Sequence, residues 1–145
     1  MDTIYHDPKL AIERAFVYLL DQNPDLSAMD FDIVAASDRS ALVGPKHVFV
    51  LCTEWTPVTR GSSNGKATVA VGVVTDMDDH GEQPRRSALG EVMQTLSSSS
   101  QPATDFLTGC LLIGWGIGSV REDTQGTKIM DVVPLSVAAC VATNG

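Results

Sequence analysis

The feature that most constrains the fold is the order of two kinds of apolar repeat along the chain. Residues 7–20 and 84–96 repeat apolar side chains at three- and four-residue steps, as one face of an amphipathic helix requires. Between and after these segments, apolar residues alternate or run continuously, which is typical of β-strands. This order predicts an α+β fold: a mainly antiparallel sheet of four or five strands with two or three helices packed against it.

Local signals set the predicted helix ends. Asp7 is suited to cap the first helix and Pro8 to occupy its first turn, while Asn23-Pro24 ends it. Pro84 begins the second helix, and the four consecutive serines at 97–100 end it as a loose connector. The first helix is therefore predicted before the sheet and the second between strands.

Five segments have strand patterns. They are residues 31–35, 46–55, 67–75, 112–120 and 128–142. In the second, His47, Phe49, Leu51, Thr53 and Trp55 are predicted to share one face, with Val48, Val50 and Cys52 on the other.

Glycine and proline add further expectations about these strands. Asn64-Gly65 predicts a hairpin turn before the third segment, and Gln125-Gly126 a turn before the last. In the third segment, Ala70 and Gly72 leave one face small, which predicts close packing of a helix or a neighbouring subunit. Pro134 predicts that the last strand lies at a sheet edge, or contains a bulge, where a neighbouring subunit could add.

Length and net charge limit the domain number and the kinds of partner that this chain can have. With 145 residues, of which 43% are hydrophobic, residues 1–145 are expected to form a single domain with a real core. The formal net charge of −8 gives no overall attraction to DNA or RNA, whose phosphates require a basic face. An acidic surface would instead let nucleic acid pass without adhering.

No pattern indicates catalysis, a metal or a cofactor. Cys52, Cys110 and Cys140 lie in apolar runs without a CxxC pair, which predicts reduced core thiols. His6, His47 and His80 are not placed beside a nucleophile, and Gly114, Gly116 and Gly118 lack the spacing of a dinucleotide fingerprint. The alternating carboxylates after residue 75 lack the glycine and distal glutamate of a calcium loop, so weak divalent binding is the minor alternative to a solvated or interface loop. We therefore expect no enzyme.

The chain also shows no membrane or secretion signal. No apolar run approaches the roughly 20 residues of a membrane helix, and the first residues are polar and acidic. We expect a protein made in the cytoplasm, without a membrane partner.

Polar loops and misplaced charges supply the candidate interface residues. The cations Arg85 and Arg86 lie in the first turn of the second helix, where the helix dipole disfavours positive charge, so nearby aspartates or a partner are expected to compensate them. A tryptophan on a strand is a candidate for a subunit contact or for the core. The full set is Arg60, Asn64, Asp76, Asp78, Asp79, Arg85, Arg86 and Trp115.

One family resembles this arrangement. The opening helix at 7–20, the strand at 69–75 with Asp78-Asp79 after it, the helix at 84–96 and the closing strand at 132–141 are similar to the pattern of tail terminator proteins of long-tailed bacteriophages. More loosely, they resemble small head–tail joining, or neck, proteins. The loop at 60–65 and the triple-glycine strand depart from that pattern.

The resemblance implies a function and partners. Such a protein is a virion component that forms a ring, typically a hexamer, which caps the tail tube, stops its polymerisation and joins the tail to the head connector. Its partners would be further copies of itself, the tail tube protein, head connector or neck proteins, and a sheath protein if the tail is contractile. DNA would pass through the lumen without specific binding. The alternatives are another neck or tail-completion subunit, or a small cytosolic binding module.

Overall fold

The fold is described by a computed structural model that covers residues 8–29, 31–38, 46–59, 64–76, 82–98 and 110–141. In these residues the helices are α1 (Pro8–Asp21), α2 (Pro24–Ala28) and α3 (Glu82–Ser98), and a short 3₁₀ turn spans Ala36–Asp38. The strands are β1 (Asp32–Ala35), β2 (Lys46–Pro57), β3 (Asn64–Asp76), β4 (Cys110–Ile117), β5 (Arg121–Gln125) and β6 (Lys128–Val141). None of these helices is long and apolar enough to cross a membrane.

The described strands form one mixed sheet, which confirms the predicted α+β class. The strand order is β1-β2-β3-β6-β4, and β5 also pairs with β6. Only the β1–β2 pair in this set is parallel; the other pairs are antiparallel. Strands β4 and β5 lie end to end along the same edge of β6, so they behave as one strand interrupted at residues 118–120.

The main core lies between the helices and one face of the sheet. Ile12, Phe16 and Leu20 of α1 and Val92 of α3 are buried there at helical spacing. The strands contribute every second residue, as their pleat requires. Strand β6 turns one face to this core, and all five residues of that face are buried: Val133, Leu135, Val137, Ala139 and Val141.

The predicted edge position of the last strand is wrong. Strand β6 is central, with β3 on one side and β4 and β5 on the other. The carbonyl of Pro134 accepts the Gly118 N–H at 2.8 Å, so the nitrogen of Pro134 points to the same side of β6. On that side Pro134 lies between the part of β6 that pairs with β5 and the part that pairs with β4. A residue without an N–H therefore fits at this position. Proline therefore removes no hydrogen bond between β6 and β3.

The predicted face of Trp55 is also wrong, because a bulge interrupts β2. The register shifts between Cys52 and Glu54, so Thr53 is an extra residue. After the bulge, Trp55 pairs with Ala67 and turns towards the helical face, where it packs against the core. Simple alternation from His47 onward could not detect this change of face.

Three local predictions need correction. Asn23-Pro24 ends α1 but also begins α2, since the Asn23 side chain accepts the N–H of Asp25 and Pro24 occupies the first turn. Asn64-Gly65 is the start of β3 rather than a turn, and the ring of Trp55 lies 2.6 Å from where a Cβ on Gly65 would stand. The turn predicted at Gln125-Gly126 lies one residue later, because Gln125 ends strand β5 and Gly126, at φ +62°, forms the turn with Thr127.

The small face of β3 is filled from within the chain at one point. The ring of Phe49 lies directly over Gly72, and a Cβ there would stand 2.1 Å from the nearest ring atom. This ring belongs to a second, smaller buried cluster on the face of the sheet opposite the helices, made by Val34, Phe49, Val74, Met130 and Val132. At Gly72 the predicted occupant, a helix or a neighbouring subunit, is therefore wrong, because Phe49 of the adjacent strand β2 packs there.

Candidate assembly interface

The sequence-predicted interface residues do not form one patch. Arg60, Asp78 and Asp79 lie outside the described residues. Asn64 and Asp76 are at opposite ends of β3, which at about 3.3 Å per residue puts them about 40 Å apart. The remaining residues, Arg85, Arg86 and Trp115, lie on α3 and β4.

Arg85 is bound inside the protomer. Its side chain is only 5% exposed, and Nε donates to Asp131 Oδ2 at 3.0 Å. The two terminal nitrogens donate to Thr75 Oγ1 at 3.4 Å and to Glu122 Oε2 at 3.5 Å. These contacts fasten the first turns of α3 to β3, β5 and β6, and they compensate a cation that the helix dipole disfavours.

Among the described residues, the anions that compensate Arg85 are Asp131 and Glu122 rather than Asp76, and Asp78 and Asp79 lie outside those residues. Asp76 instead forms an ion pair with Lys128 across the β3–β6 ladder. The side chain of Arg86, next to the buried Arg85, is exposed. Sequence spacing could have separated these two arginines, because Arg85 precedes the buried Ala88 and Val92 by three and seven residues and so shares their face of α3.

Trp115 connects three elements. Its side chain points to the helical face, where its ring packs edge-to-face against the ring of Phe16 on α1. The ring centroids are 5.3 Å apart and the angle between the ring planes is 71°. Its Nε1–H donates to the Leu96 carbonyl at 3.1 Å, which satisfies a backbone acceptor near the end of α3. The ring is partly exposed, so it also contributes to the surface at the edge of the sheet.

The face of the sheet opposite the helices has a shallow trough across β2, β3, β6 and β4. Its volume is about 690 Å³. Glu54 and Lys66 are the charged residues of its lining, and Gly114 and Gly116 leave open space where a Cβ would stand. The remaining polar side chains that line it are Thr56, Thr68 and Ser136.

Besides the outer sides of β1 and β5, two stretches of sheet edge have no neighbouring strand among the described residues. One is the outer side of β4. The other is the distal half of β2, residues 51–57, since β1 pairs with β2 only as far as Val50. Exposed aliphatic side chains lie at both: Leu51 and Val58 at the β2 edge, and Ile113 at the β4 edge.

The thiol of Cys110 is a core group rather than a nucleophile. Burial, and then the neighbouring Cys140 and Cys52, raise the pKa of Cys110 from 9.0 to about 12. A reactive thiol needs the opposite shift, because the thiolate is the nucleophile. Among the described residues, no group of three or more His, Cys, Asp or Glu side chains is arranged to hold a metal ion.

Comparison with known proteins gives a fold relationship. No family model and no curated protein matches the sequence. A chain of the solved "Virion of native gene transfer agent (GTA) particle" is 13% identical, with 89% of this chain and 94% of that chain covered and a TM-score of 0.61. A second solved chain, also 13% identical, covers 93% of this chain and 96% of its own length with a TM-score of 0.51. At this identity the likeness establishes a shared fold over nearly the whole of each chain.

Proposed function

We propose that this chain is a structural subunit of a phage-type virion, and in particular a tail terminator. As such it would form a ring that caps the tail tube, ends tube polymerisation and joins the tail to the head connector. The main support is the fold shared with a chain of a gene transfer agent virion, a phage-like particle, at near-complete mutual coverage. The order of elements in the sequence, which resembles tail terminators, supports the same class independently.

The surface and the buried groups suit a structural role. The net charge of −8 would let DNA move through a ring lumen without being held. Three of the five buried polar residues among the described ones, Glu13, Arg85 and Asp131, make hydrogen bonds that join secondary-structure elements. Groups used in this way stabilise a scaffold, so we infer a non-enzymatic protein.

The partners follow from that role. A terminator contacts further copies of itself, the tail tube protein on one side and head connector or neck proteins on the other, with a sheath protein added in a contractile tail. The two open sheet edges and the polar trough are the described surfaces available for such contacts. The finished protein would then be located in the virion, at the junction of tail and head.

The test is assembly on tail tubes. Light scattering is expected to give a mass of about six times the 15.4 kDa protomer, with rings in negative-stain images of the same sample, either alone or after tubes are added. Added protein should stop elongation of tail tubes and appear as a cap at one end. A protein that stays monomeric and neither binds nor caps tubes would contradict the proposal.

The trough supports a second candidate, a small-molecule binding module. Its volume lies within the range of ligand pockets, although its lining is more polar than is usual for them. A binding module would remain a monomer or dimer, and its melting temperature would rise in a screen of small polar metabolites. Capping of tubes without any such thermal shift would exclude this alternative.

A further inference from the structure

The outer side of β4 has a row of backbone groups that point away from the sheet. The Gly118 N–H donates to the Pro134 carbonyl, so by antiparallel alternation Gly116 and Gly114 bond to β6, while Trp115 and Ile117 direct their N–H and C=O groups outward. Strand β4 contains no charged residue and no proline. Such an uncharged open edge is a template for pairing with another strand.

The distal half of β2 has a matching but shorter row. The Val58 N–H donates to the Asn64 carbonyl, so Trp55 and Pro57 direct their backbone groups away from β3. Trp55 therefore offers one donor and one acceptor, and Pro57 offers an acceptor alone. On the same side, the outward N–H of Cys52 is already donated to Glu13. This edge can therefore accept only a short segment.

The two edges are complementary in direction. Strand β2 runs with β6 and against β4, so the β4 edge of one copy would meet the β2 edge of another in the antiparallel sense. If Trp55 lies opposite Trp115, the N–H of each residue donates to the carbonyl of the other, as in a hydrogen-bonded pair of an antiparallel ladder. The same register puts Pro57, which lacks a donor, opposite the bulge at Ile113, where the ladder is interrupted in any case.

The side chains at these edges support the same pairing. The two tryptophans of the chain, Trp55 and Trp115, are both partly exposed, both on the helical face, and each at one of the open edges. The pairing would bring them side by side and bury them, as large aromatic residues are buried in the centre of protein interfaces. On the opposite face, Gly114 would leave room for Thr56 of the other copy.

We propose that the ring is built by sheet extension: the outer edge of β4 in one copy pairs antiparallel with residues 54–57 of β2 in the next, with Trp115 opposite Trp55. This inference rests on the proposed function, because it identifies the contact that closes the ring. The two edges are different surfaces, so the contact is head-to-tail: it does not stop at a dimer, and it forms a ring when the rotation between successive copies closes.

Disulfide trapping tests this register. In the proposed pair, Thr56 and Gly114 are direct neighbours on the trough face in a non-hydrogen-bonded position, where Cβ atoms approach to about 4.5–5.5 Å. The variant Thr56→Cys/Gly114→Cys, oxidised after assembly, is expected to give a ladder of covalent oligomers on a denaturing gel. The control Thr56→Cys/Gly90→Cys introduces its second thiol at an equally open glycine on α3, and is expected to give no ladder.

The outcomes separate the contact from the function. Rings seen in micrographs without a ladder from Thr56→Cys/Gly114→Cys would overturn the edge contact and leave the terminator proposal standing. Dimers from Gly114→Cys alone would indicate β4-to-β4 pairing, and would also overturn it. Failure to form rings even on tail tubes would overturn both.

A charge at the edge provides an independent test. Ile113 is 51% exposed, so Ile113→Lys is expected to fold normally, with an unchanged circular dichroism spectrum. It should weaken self-association at least tenfold, because lysine at a sheet edge opposes strand pairing. Tyr18→Lys changes a similarly exposed residue (44%) on α1 rather than on an edge strand, and should assemble as the wild type does. Normal assembly of Ile113→Lys would overturn the proposal.

Discussion

The fully buried carboxylate of Glu13 on α1 accepts the backbone N–H of Cys52 on β2 at 2.9 Å. The same carboxylate accepts the N–H and the hydroxyl of Ser37, which follows β1. Strand β1 stops pairing with β2 at Val50, so Glu13 replaces the missing strand for the next outward N–H of β2. One helical side chain thus ends the parallel ladder and sets where the open edge of β2 begins.

Removal of this carboxylate should destabilise the protomer. Glu13→Leu leaves three donors without their acceptor, so we expect the free energy of unfolding to fall by about 3 kcal/mol or more. Glu13→Gln keeps one acceptor oxygen and should cost less, about 1–2 kcal/mol. Urea unfolding followed by circular dichroism measures both. The exposed Glu54→Gln is the control, and similar values for Glu13→Leu and Glu54→Gln would contradict this role.

The buried Arg85–Asp131 pair should behave as a unit. Arg85→Met leaves Asp131 buried without its cation and is expected to cost about 3–5 kcal/mol. The double variant Arg85→Met/Asp131→Leu should recover most of that loss, because neither charge is then left unpaired. Urea unfolding of the single and double variants gives the coupling free energy.

Arg86→Met is the matched control for Arg85→Met. It changes the adjacent arginine, whose side chain is exposed, so it should alter the unfolding free energy by less than about 1 kcal/mol. Equal losses from Arg85→Met and Arg86→Met would mean that the buried contacts of Arg85 contribute nothing beyond surface electrostatics.

The sequence predicted those elements whose pattern reflects burial. Helix α1, helix α3 and the inward face of β6 follow from apolar spacing, because each buries one side against the core. Strand β5 was missed because its five residues are all exposed and leave no apolar alternation; its pairing with β6 makes it a strand. Helix α2 is too short to show a helical period.

The candidate site was harder to predict for a different reason. The bulges at Thr53 and Ile113 each add one residue to a strand and reverse every later face, and neither changes the apolar pattern enough to be seen. Both tryptophans therefore lie on the helical face, although alternation put Trp55 on the other. Whether a strand lies at the edge of a sheet depends on its long-range pairing, and this pairing cannot be read from a single sequence.

Glycine substitutions should distinguish close packing from open surface. Gly72→Ala would put a methyl group into the ring of Phe49, so the ring must move, and we expect a loss of about 1–3 kcal/mol. The paired variant Gly72→Ala/Phe49→Leu should lose less than the two separate losses combined. Gly90→Ala, on the exposed surface of α3 with open space around its Cβ, should instead stabilise by about 0.5–1 kcal/mol. Thermal unfolding of Gly72→Ala, Phe49→Leu, the double variant and Gly90→Ala measures these changes in stability and shows whether the two glycine substitutions have opposite signs.

The indole N–H of Trp115 should contribute separately from its ring. Trp115→Phe keeps an aromatic partner for Phe16 but removes the donor to the Leu96 carbonyl, so we expect a loss of about 1 kcal/mol. Trp115→Ala removes both contacts and should cost about 2–4 kcal/mol, less than for a fully buried tryptophan. Urea unfolding measures each loss. An unchanged stability for Trp115→Phe would show that the carbonyl is satisfied equally well by water.

Alkaline pH should reveal the buried thiol of Cys110. Its pKa is raised from 9.0 to about 12 by burial and then by the other two cysteines, so the folded protein keeps a proton that the unfolded chain releases. The resulting stabilisation is complete below pH 9 and is lost as the pH rises from 9 towards 12, by up to about 1.4 kcal/mol per pH unit. Urea unfolding between pH 8 and 10.5 measures the slope. Because lysine and tyrosine side chains also titrate there, the comparison is with Cys110→Ala, whose starting stability is lower but whose decline should be shallower. Parallel slopes in the two proteins would show that the thiol is not the group that resists ionisation.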